Sequence, residues 1–277
     1  LKRGIIDGIR CSTRPDAVGD EAITLLQSYG IKTVELGVQS MNDGILLDAK
    51  RGHTAQEVVE AVARLKQRGM TVGVQLLPGL KGETWESILE TAIAVVKMKP
   101  DFVRIYPVLV IENTELADQY RAGEYEPLST EQAITYCAFL KDWFERHNIE
   151  VIRTGLQSTE ELDSGNSLVA GPYEPAMGEL VVNEQYKQRI ECCINEHIES
   201  FIDKELSQWN IWGQANTFIA LNIGVFYPRS LTSKVRGLKN RNMLYFQEKY
   251  PHININWYED STRNTVRCCI DGLQYVL

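Results

Sequence analysis

The chain has 277 residues, of which 44% are apolar and 24% charged, and its formal net charge is −8. This composition is ordinary for a globular protein, and the negative balance gives no overall attraction to nucleic acid or to an acidic membrane. No apolar run in the sequence approaches the roughly 20 residues that a membrane span needs, so we expect a cytoplasmic protein without membrane contact.

The first part of the chain alternates between strand-like and helix-like segments. Strands are predicted at 5–11, 33–39, 70–77, 101–107 and 149–154. Helices are predicted between them over 54–68, 84–98 and 130–147. Thr54 with Glu57, and Ser129 with Gln132, have the spacing of capping boxes at two helix starts. Repeated strand–helix units imply parallel strands with right-handed crossovers, and a ligand site at the carboxyl ends of the strands.

A polar, glycine-containing stretch at 154–175 is predicted to be a connector. A smaller α/β unit is predicted to follow it, with helices over 178–206 and 239–248 and strands near 218–226, 252–258 and 264–270. The sequence therefore predicts two domains, 1–157 and 158–277.

Three of the predicted strands carry polar residues, although a parallel strand covered on both faces is nearly all aliphatic. With the period of two of a strand, the unusual residues of each strand share one face: Glu35 with Gly37 and Gln39, Gly73 with Gln75, and Arg104 with Tyr106. Glycine leaves room for a ligand and glutamine offers it hydrogen bonds, so these faces predict a binding site. Alternatively, the amides satisfy backbone groups of neighbouring loops, as buried polar residues often do.

The six cysteines are Cys11, Cys137, Cys192, Cys193, Cys268 and Cys269. None falls in a CxxC or CxxxCxxC pattern, and their spacing is not that of a disulfide-rich secreted scaffold. We interpret all six as structural and assign no metal ligand.

Several segments, taken in order, resemble the radical S-adenosylmethionine superfamily, near the Elongator catalytic subunit and oxygen-independent coproporphyrinogen oxidase. The matching segments are STRPD at 12–16, ELGVQSMND at 35–43, RGHT at 51–54, PGLKGET at 78–84, RIYPVLVIENTELA at 104–117, YEPLS at 125–129, VIRTGLQ at 151–157 and AGPYEPAMGELV at 170–181. The resemblance covers roughly residues 4–182 and implies an α/β fold. We expect a partial parallel (β/α)6-type barrel, N-terminally truncated, with a small C-terminal α/β domain.

In that superfamily, a CxxxCxxC loop binds a 4Fe-4S cluster that cleaves S-adenosylmethionine to a 5′-deoxyadenosyl radical. The resemblance implies this chemistry on a tRNA or a small-molecule substrate, with a reductant protein such as flavodoxin or ferredoxin. The motif is missing here and the chain enters a strand-like run just after Leu1. We therefore expect the cluster ligands upstream of this chain, and the chain alone to be inactive.

The resemblance also implies site residues, each by its position in the matched segments. Gln39 matches a polar residue near the ribose, and Arg51 matches an arginine near the methionine carboxylate. Gln75 takes the place of a cofactor-contacting acid. Ser12 stands where relatives often have glutamate, which weakens that contact. No catalytic residue is assigned.

Arg104 and Tyr106 are predicted to face the substrate. Two other hypotheses stay open at this point. In one, a conventional barrel enzyme handles a phosphorylated or acidic small molecule through Arg14, Arg51, Arg104 and Lys81. In the other, the chain is a non-catalytic binding module without a cluster.

One segment, 228–247, is basic within this acidic chain: it contains no Asp or Glu, and its cations are Arg229, Lys234, Arg236, Lys239 and Arg241. Cations at a helix start oppose the helix dipole, whereas a phosphate backbone would favour them there. The sequence predicts RNA contacts at Arg236, Lys239 and Arg241. The alternative is a solvated basic face, or one paired with acidic residues elsewhere in the chain.

Overall fold

The structure is a computed structural model that describes residues 6–165, 167–208 and 221–277. Its contacts divide the chain into two compact units, Leu1–Gly178 and Glu179–Leu277. Across the described ranges, no helix combines the length and apolar character that a membrane span requires.

The first unit contains a five-stranded parallel sheet and a small two-stranded sheet. Its strands are β1 (Ile9–Thr13), β2 (Ile31–Gln39), β3 (Thr71–Leu76), β4 (Phe102–Ile105), β5 (Val110–Ile111), β6 (Glu150–Thr154) and β7 (Leu168–Ala170). Its helices are α1 (Asp20–Ser28), α2 (Asp43–Asp48), α3 (Ala55–Gln67), α4 (Trp85–Met98), α5 (Glu115–Arg121), α6 (Thr130–Arg146) and α7 (Glu160–Asp163).

The large sheet has the order β1-β2-β3-β4-β6, so the strands follow one another in space as they do in the chain. Successive right-handed crossovers in one direction place the helices on one face of the sheet and curl it toward closure. The sheet is therefore a partial α/β barrel, as expected. Its helix-covered face is aliphatic, with Val34, Leu36, Val74 and Leu76 all at most 1% exposed.

Local sequence signals account for the helix starts. The capping boxes predicted at Thr54 and Ser129 are both formed, and a third joins Thr84 to Ser87 at the start of α4. Each box satisfies two backbone N–H groups that the first helical turn would otherwise leave without partners.

Two segments of the first unit differ from the sequence prediction. The first strand is formed by Ile9–Thr13 rather than 5–11, and residues 1–5 lie outside the described ranges. The predicted connector at 154–175 contains β7, which pairs antiparallel with β5. These strands have only two and three residues, which is too short for a periodic pattern to show.

The second unit is a smaller α/β fold. Helix α8 (Met177–Gln208) starts at the end of the first unit, and the remaining elements are β8 (Asn222–Tyr227), α9 (Thr232–Arg236), α10 (Arg241–Lys249), β9 (Asn254–Glu259), β10 (Arg267–Ile270) and β11 (Leu273–Val276). The sheet order is β11-β10-β8-β9, with β8 parallel to β9 and β10 antiparallel to both of its neighbours. Its core contains Val225 and Tyr227 from β8, Phe246 from α10 and Ile190 from α8.

Candidate functional site

The inner face of the barrel sheet, opposite the helices, carries the polar residues that the sequence singled out. Residues in register on neighbouring parallel strands share a face. One row across the sheet contains Ser12, Glu35, Gly73 and Phe102, and the next contains Gly37, Gln75 and Arg104. The three polar strand faces predicted separately are thus one continuous surface.

Glu35 is the ionic centre of this surface. Its side chain is buried, with Oε1 2.9 Å from an Arg10 guanidinium nitrogen and Oε2 3.3 Å from Nε of Arg104. Oε1 of Glu35 and Nε of Arg104 lack hydrogen-bond alignment, so these contacts are ion pairs. Burying the Glu35 carboxylate removes it from water at a cost in free energy. Its attraction to two cations compensates that cost.

Arg104 and Tyr106, predicted to face the substrate, lie together on this surface. Nη1 of Arg104 donates a hydrogen bond of 3.0 Å to the Tyr106 hydroxyl, and Tyr106 is 8% exposed. Glu35 therefore orients Arg104, which in turn orients the phenol. The sequence placed Glu35 on the polar face but assigned it no role; a charge in the middle of an otherwise aliphatic strand was the signal.

Gln39 ends β2 in a strained conformation. Its φ is +71°, its side chain is 4% exposed, and the pairing of β2 with β3 shifts between Gly37 and Gln39. A non-glycine residue in this region costs on the order of 1–3 kcal/mol. Such strain, at a buried polar residue at the carboxyl end of a parallel strand, is typical of a ligand site.

The side chains of Gln39 and Arg51 converge on Gly37. A Cβ at Gly37 would lie 2.7 Å from Nε2 of Gln39 and 3.6 Å from an Arg51 guanidinium nitrogen. Oε1 of Gln39, Nε of Arg51 and Nδ1 of His53 are all buried without a hydrogen-bond partner. An unpartnered buried polar atom is costly, and a ligand with complementary atoms would remove that cost. We call Gly37, Gln39, Arg51 and His53 the strand-end site.

His53 was not predicted as a site residue. It is 6% exposed, and its Nε2 lies 3.3 Å from the Val38 carbonyl oxygen. Its position in the RGHT segment, two residues after Arg51, was the available signal.

The charge balance of the strand-end site is positive. Arg14 donates two hydrogen bonds to Asp16, of 2.9 and 2.7 Å, and one of 3.3 Å to the Gly52 carbonyl. Within the described ranges Arg51 has no carboxylate partner, and burial together with the neighbouring Arg14 guanidinium lowers its pKa. An anionic group on the ligand would therefore be favoured beside Arg51.

The other two predicted cofactor residues lie on the same sheet with different exposure. Gln75 is half-buried in the row of Gly37, whereas Ser12 is exposed on the edge strand beside Glu35. The structure thus brings Gln39 and Arg51 together, places Gln75 on their face and leaves Ser12 at the rim. Arg236, Lys239 and Arg241 belong to the second unit.

The loop after β3 holds a carboxyl group with an unusual environment. Glu83 accepts a hydrogen bond of 2.6 Å from the Gly79 backbone N–H, and Tyr125 donates one of 2.7 Å to the Gly79 carbonyl. Burial raises the pKa of Glu83 to about 7. This loop lines a cavity of about 220 Å³ together with Tyr125 and Leu128.

No group of three or more His, Cys, Asp or Glu side chains could hold a metal ion within the part of the chain that the structure describes. None of the six cysteines forms a disulfide, and burial raises the pKa of Cys268 to about 12 and that of Cys193 to about 11. These residues therefore do not fit a 4Fe-4S cluster, which needs several thiolates at one place.

The fold is a partial α/β barrel with a candidate ligand site at the carboxyl ends of its strands. Residues 2–94 match the family model described as "Radical SAM superfamily", and residues 100–188 match the "Radical_SAM C-terminal domain". The chain belongs to the radical S-adenosylmethionine superfamily, which confirms the resemblance found in its motifs.

Similar proteins include tRNA uridine(34) acetyltransferases and Elongator complex protein 3. The chain is 35% identical over 186 residues to the tRNA uridine(34) acetyltransferase of Methanocaldococcus jannaschii, a match covering 66% of this chain and 33% of that protein. It is 30% identical over 134 residues to Elongator complex protein 3 of Homo sapiens, covering 47% and 24%.

One similar solved structure is the archaeal Methanocaldococcus infernus Elp3 with an N-terminal deletion. The TM-score is 0.57 at 32% identity, covering 65% of this chain and 42% of that one. The chain spans about a third of the length of its archaeal curated relatives.

Proposed function

We propose that the first unit is the S-adenosylmethionine-binding core of a cytoplasmic radical enzyme that modifies tRNA. The observation that carries the proposal is the strand-end site, where Gln39 and Arg51 present unpartnered buried atoms beside Gly37. Membership of the superfamily supports the cofactor, and the names of the relatives support the substrate.

The donor set of the strand-end site fits S-adenosylmethionine. The Arg51 guanidinium would hold the methionine carboxylate, because its Nε is buried without a hydrogen-bond partner and the half-buried side chain has no carboxylate partner in the described ranges. The Gln39 amide would bind the ribose hydroxyls, and Gln75 would extend this polar wall along β3. Gly37 leaves the space that a side chain would take from the ligand.

One-electron reduction of bound S-adenosylmethionine by a 4Fe-4S cluster would release methionine and supply the hydrogen-abstracting chemistry of the superfamily. We assign the 4Fe-4S ligands to a segment outside this chain, since the described residues do not fit a cluster. The chain alone would then be inactive, and the complete enzyme would take electrons from a protein such as flavodoxin or ferredoxin.

The chain's own residues would position the cofactor and the substrate. Glu35 fixes the direction of Arg104, and Arg104 fixes the Tyr106 hydroxyl through its 3.0 Å hydrogen bond. Arg104 would contact an anionic group of the substrate, and Tyr106 would add one hydrogen bond. This arrangement favours a phosphate-bearing substrate such as tRNA.

Calorimetric titration of the chain with S-adenosylmethionine tests the proposal. Gln39→Leu should lose roughly 1–3 kcal/mol of binding free energy, the range for hydrogen bonds to buried or charged groups. Gln56→Leu is the matched control, because Gln56 is exposed on α3 and donates only to Glu60. Equal affinities of the two variants, or no binding by the unmodified chain at millimolar cofactor, would contradict it.

A further inference from the structure

The second unit contains a strand–helix–turn–helix–strand arrangement whose function the first unit does not explain. Strands β8 and β9 are parallel neighbours, and α9 and α10 connect them through the turn Gly237-Leu238-Lys239-Asn240. We call this turn the basic loop. K-homology modules use a GxxG loop to clamp about four nucleotides of RNA, and the basic loop has a glycine at the first of these positions.

The backbone of the basic loop is held in one conformation. Gly237, Lys239 and Asn240 have φ values of +77°, +54° and +62°. The φ of +77° and ψ of 157° at Gly237 are essentially restricted to glycine, and a Cβ there would lie only 3.0 Å from Asn242. Asn240 takes the place of the second glycine, and asparagine is among the few residues that tolerate this backbone region.

The side chain of Asn242, two residues after the basic loop, holds the end of the loop in place. It is 5% exposed, and its side-chain nitrogen donates to the carbonyl oxygens of Asn183 at 2.8 Å and Val235 at 3.1 Å. The start of α10 is thereby tied to α8 and α9. Asn240 makes no side-chain cap hydrogen bond, so no cap side chain covers the N–H groups of the first turn of α10.

The charges around the loop are those of an anion-binding surface. A groove of about 440 Å³ beside the loop is lined by Arg229, Arg236 and Lys239, together with hydroxyl residues. Arg236 is oriented by Tyr227, to whose hydroxyl it donates from Nε. The nearby carboxylate of Glu259 accepts a 3.0 Å hydrogen bond from Thr232. Five cations and no acid across 228–247, in a chain of net charge −8, complement a phosphate backbone.

A second groove is lined by residues of α10 and β9, and we call it the helix–strand groove. It has a volume of about 480 Å³ and is lined by Met243, Phe246, Ile255 and Trp257, among others. The Phe246 and Trp257 ring centroids are 6.0 Å apart. Among the strands of residues 221–277, β9 is the edge of the sheet, so one side of its backbone has no partner strand within the described ranges. Apolar walls and open backbone groups suit unstacked bases.

We propose that the second unit binds a single-stranded RNA segment. Its phosphates lie on the basic loop, held by backbone N–H groups with Lys239, Arg236 and Arg241, and its bases enter the helix–strand groove. The basic loop leads directly into α10, and later residues of α10 line the helix–strand groove. A duplex keeps its bases stacked and cannot enter this groove. The inference does not depend on the cofactor bound by the first unit.

Fluorescence anisotropy of the full chain with a labelled single-stranded RNA of about twelve nucleotides tests the proposal. Replacing Arg236, Lys239 and Arg241 with alanine should weaken binding tenfold or more and reduce the slope of log K against log salt by roughly two to three. The matched control replaces the exposed residues Lys32, Lys97 and Arg263 with alanine, which removes the same charge. This control variant should bind the RNA as tightly as the unmodified chain does.

Because Arg236 packs against Tyr227, replacing it also removes a structural contact. A second variant, which keeps Arg236, tests the proposal even if the triple variant unfolds. Lys239→Glu changes only an exposed loop side chain and should weaken binding by about fivefold or more, with a shallower salt slope. Unchanged affinity and slope for Lys239→Glu would overturn the proposal. Equal weakening by the control triple, equally tight binding of a matched RNA duplex, or preference for anionic lipid vesicles over RNA would overturn it too.

Discussion

The strand-end site of the first unit and the basic loop of the second unit differ in the groups that they offer to a ligand. At the strand ends the unsatisfied atoms are few and buried, such as Oε1 of Gln39. At the basic loop the groups offered to a ligand are exposed cations such as Lys239. A buried amide is satisfied only by a ligand with atoms at fixed positions, whereas exposed cations accept any phosphate chain and are screened by salt. The first arrangement predicts a defined small molecule, the second a polyelectrolyte.

The largest expected effect concerns iron. Anaerobic reconstitution of the chain with iron and sulfide should leave far fewer than four irons per chain, because the described part holds no group of metal ligands. Iron counting together with visible absorption measures this. A stoichiometric cluster would mean that this chain supplies the metal site itself, and our interpretation of the cysteines as structural would be wrong.

The next effect is on stability and tests whether Glu35 organises the inner face. Glu35→Gln should lower the free energy of unfolding by about 3 kcal/mol, because two arginines lose their buried counter-charge but keep some contact with water. Urea unfolding measures it, with exposed Glu90→Gln as the control. A loss below about 0.5 kcal/mol, the usual scale of a surface substitution, would show that the arginines do not depend on Glu35.

A smaller effect is the pH dependence that Glu83 introduces. Its pKa is raised from 4.5 to about 7, so the folded chain binds this proton more tightly than the unfolded chain does. The protonated carboxyl therefore stabilises the fold below pH 4.5. That contribution is lost as the pH rises to 7, and at most about 3 kcal/mol is involved.

Glu83→Gln should remove this pH dependence, since the amide oxygen can still accept from Gly79. Unfolding free energies at pH 5 and pH 8 should then differ less for Glu83→Gln than for the unmodified chain. Glu124→Gln, an exposed change at the same cavity, should leave the difference as it was. Identical pH slopes for Glu83→Gln and the unmodified chain would contradict the assignment.

The smallest expected effect is the response of cofactor binding to salt. S-adenosylmethionine affinity should change by less than about tenfold between 50 and 200 mM salt, because its contacts are buried and few. Single-stranded RNA affinity should change far more over the same range. Equal slopes of log affinity against log salt for the two ligands would show that the strand-end site and the basic loop do not differ in this way.

The sequence predicted what is local in this fold. Capping boxes at Thr54 and Ser129 are made within four residues, so their pattern sufficed to place α3 and α6. The alternation of polar residues likewise predicted the inner face, because a strand's period of two needs no tertiary information. The Asp271-Gly272 turn between β10 and β11 is another local signal, because Asp-Gly favours a tight hairpin.

What the sequence did not predict depends on contacts between distant segments. The convergence of Gln39 and Arg51 on Gly37 requires the register shift at the end of β2. It also requires Gln39 to adopt a positive φ, which glutamine rarely does. The double pairing of Glu35 joins three strands whose relative register no single segment encodes. The helix–strand groove of the second unit likewise exists only once α10 packs beside β9.

A crystal structure of the chain with S-adenosylmethionine tests the central claim most directly. We expect the adenosyl group over Gly37, the Gln39 amide within hydrogen-bond distance of the ribose, and the methionine carboxylate at Arg51. A cofactor bound elsewhere, with Oε1 of Gln39 still buried and without a partner, would contradict it.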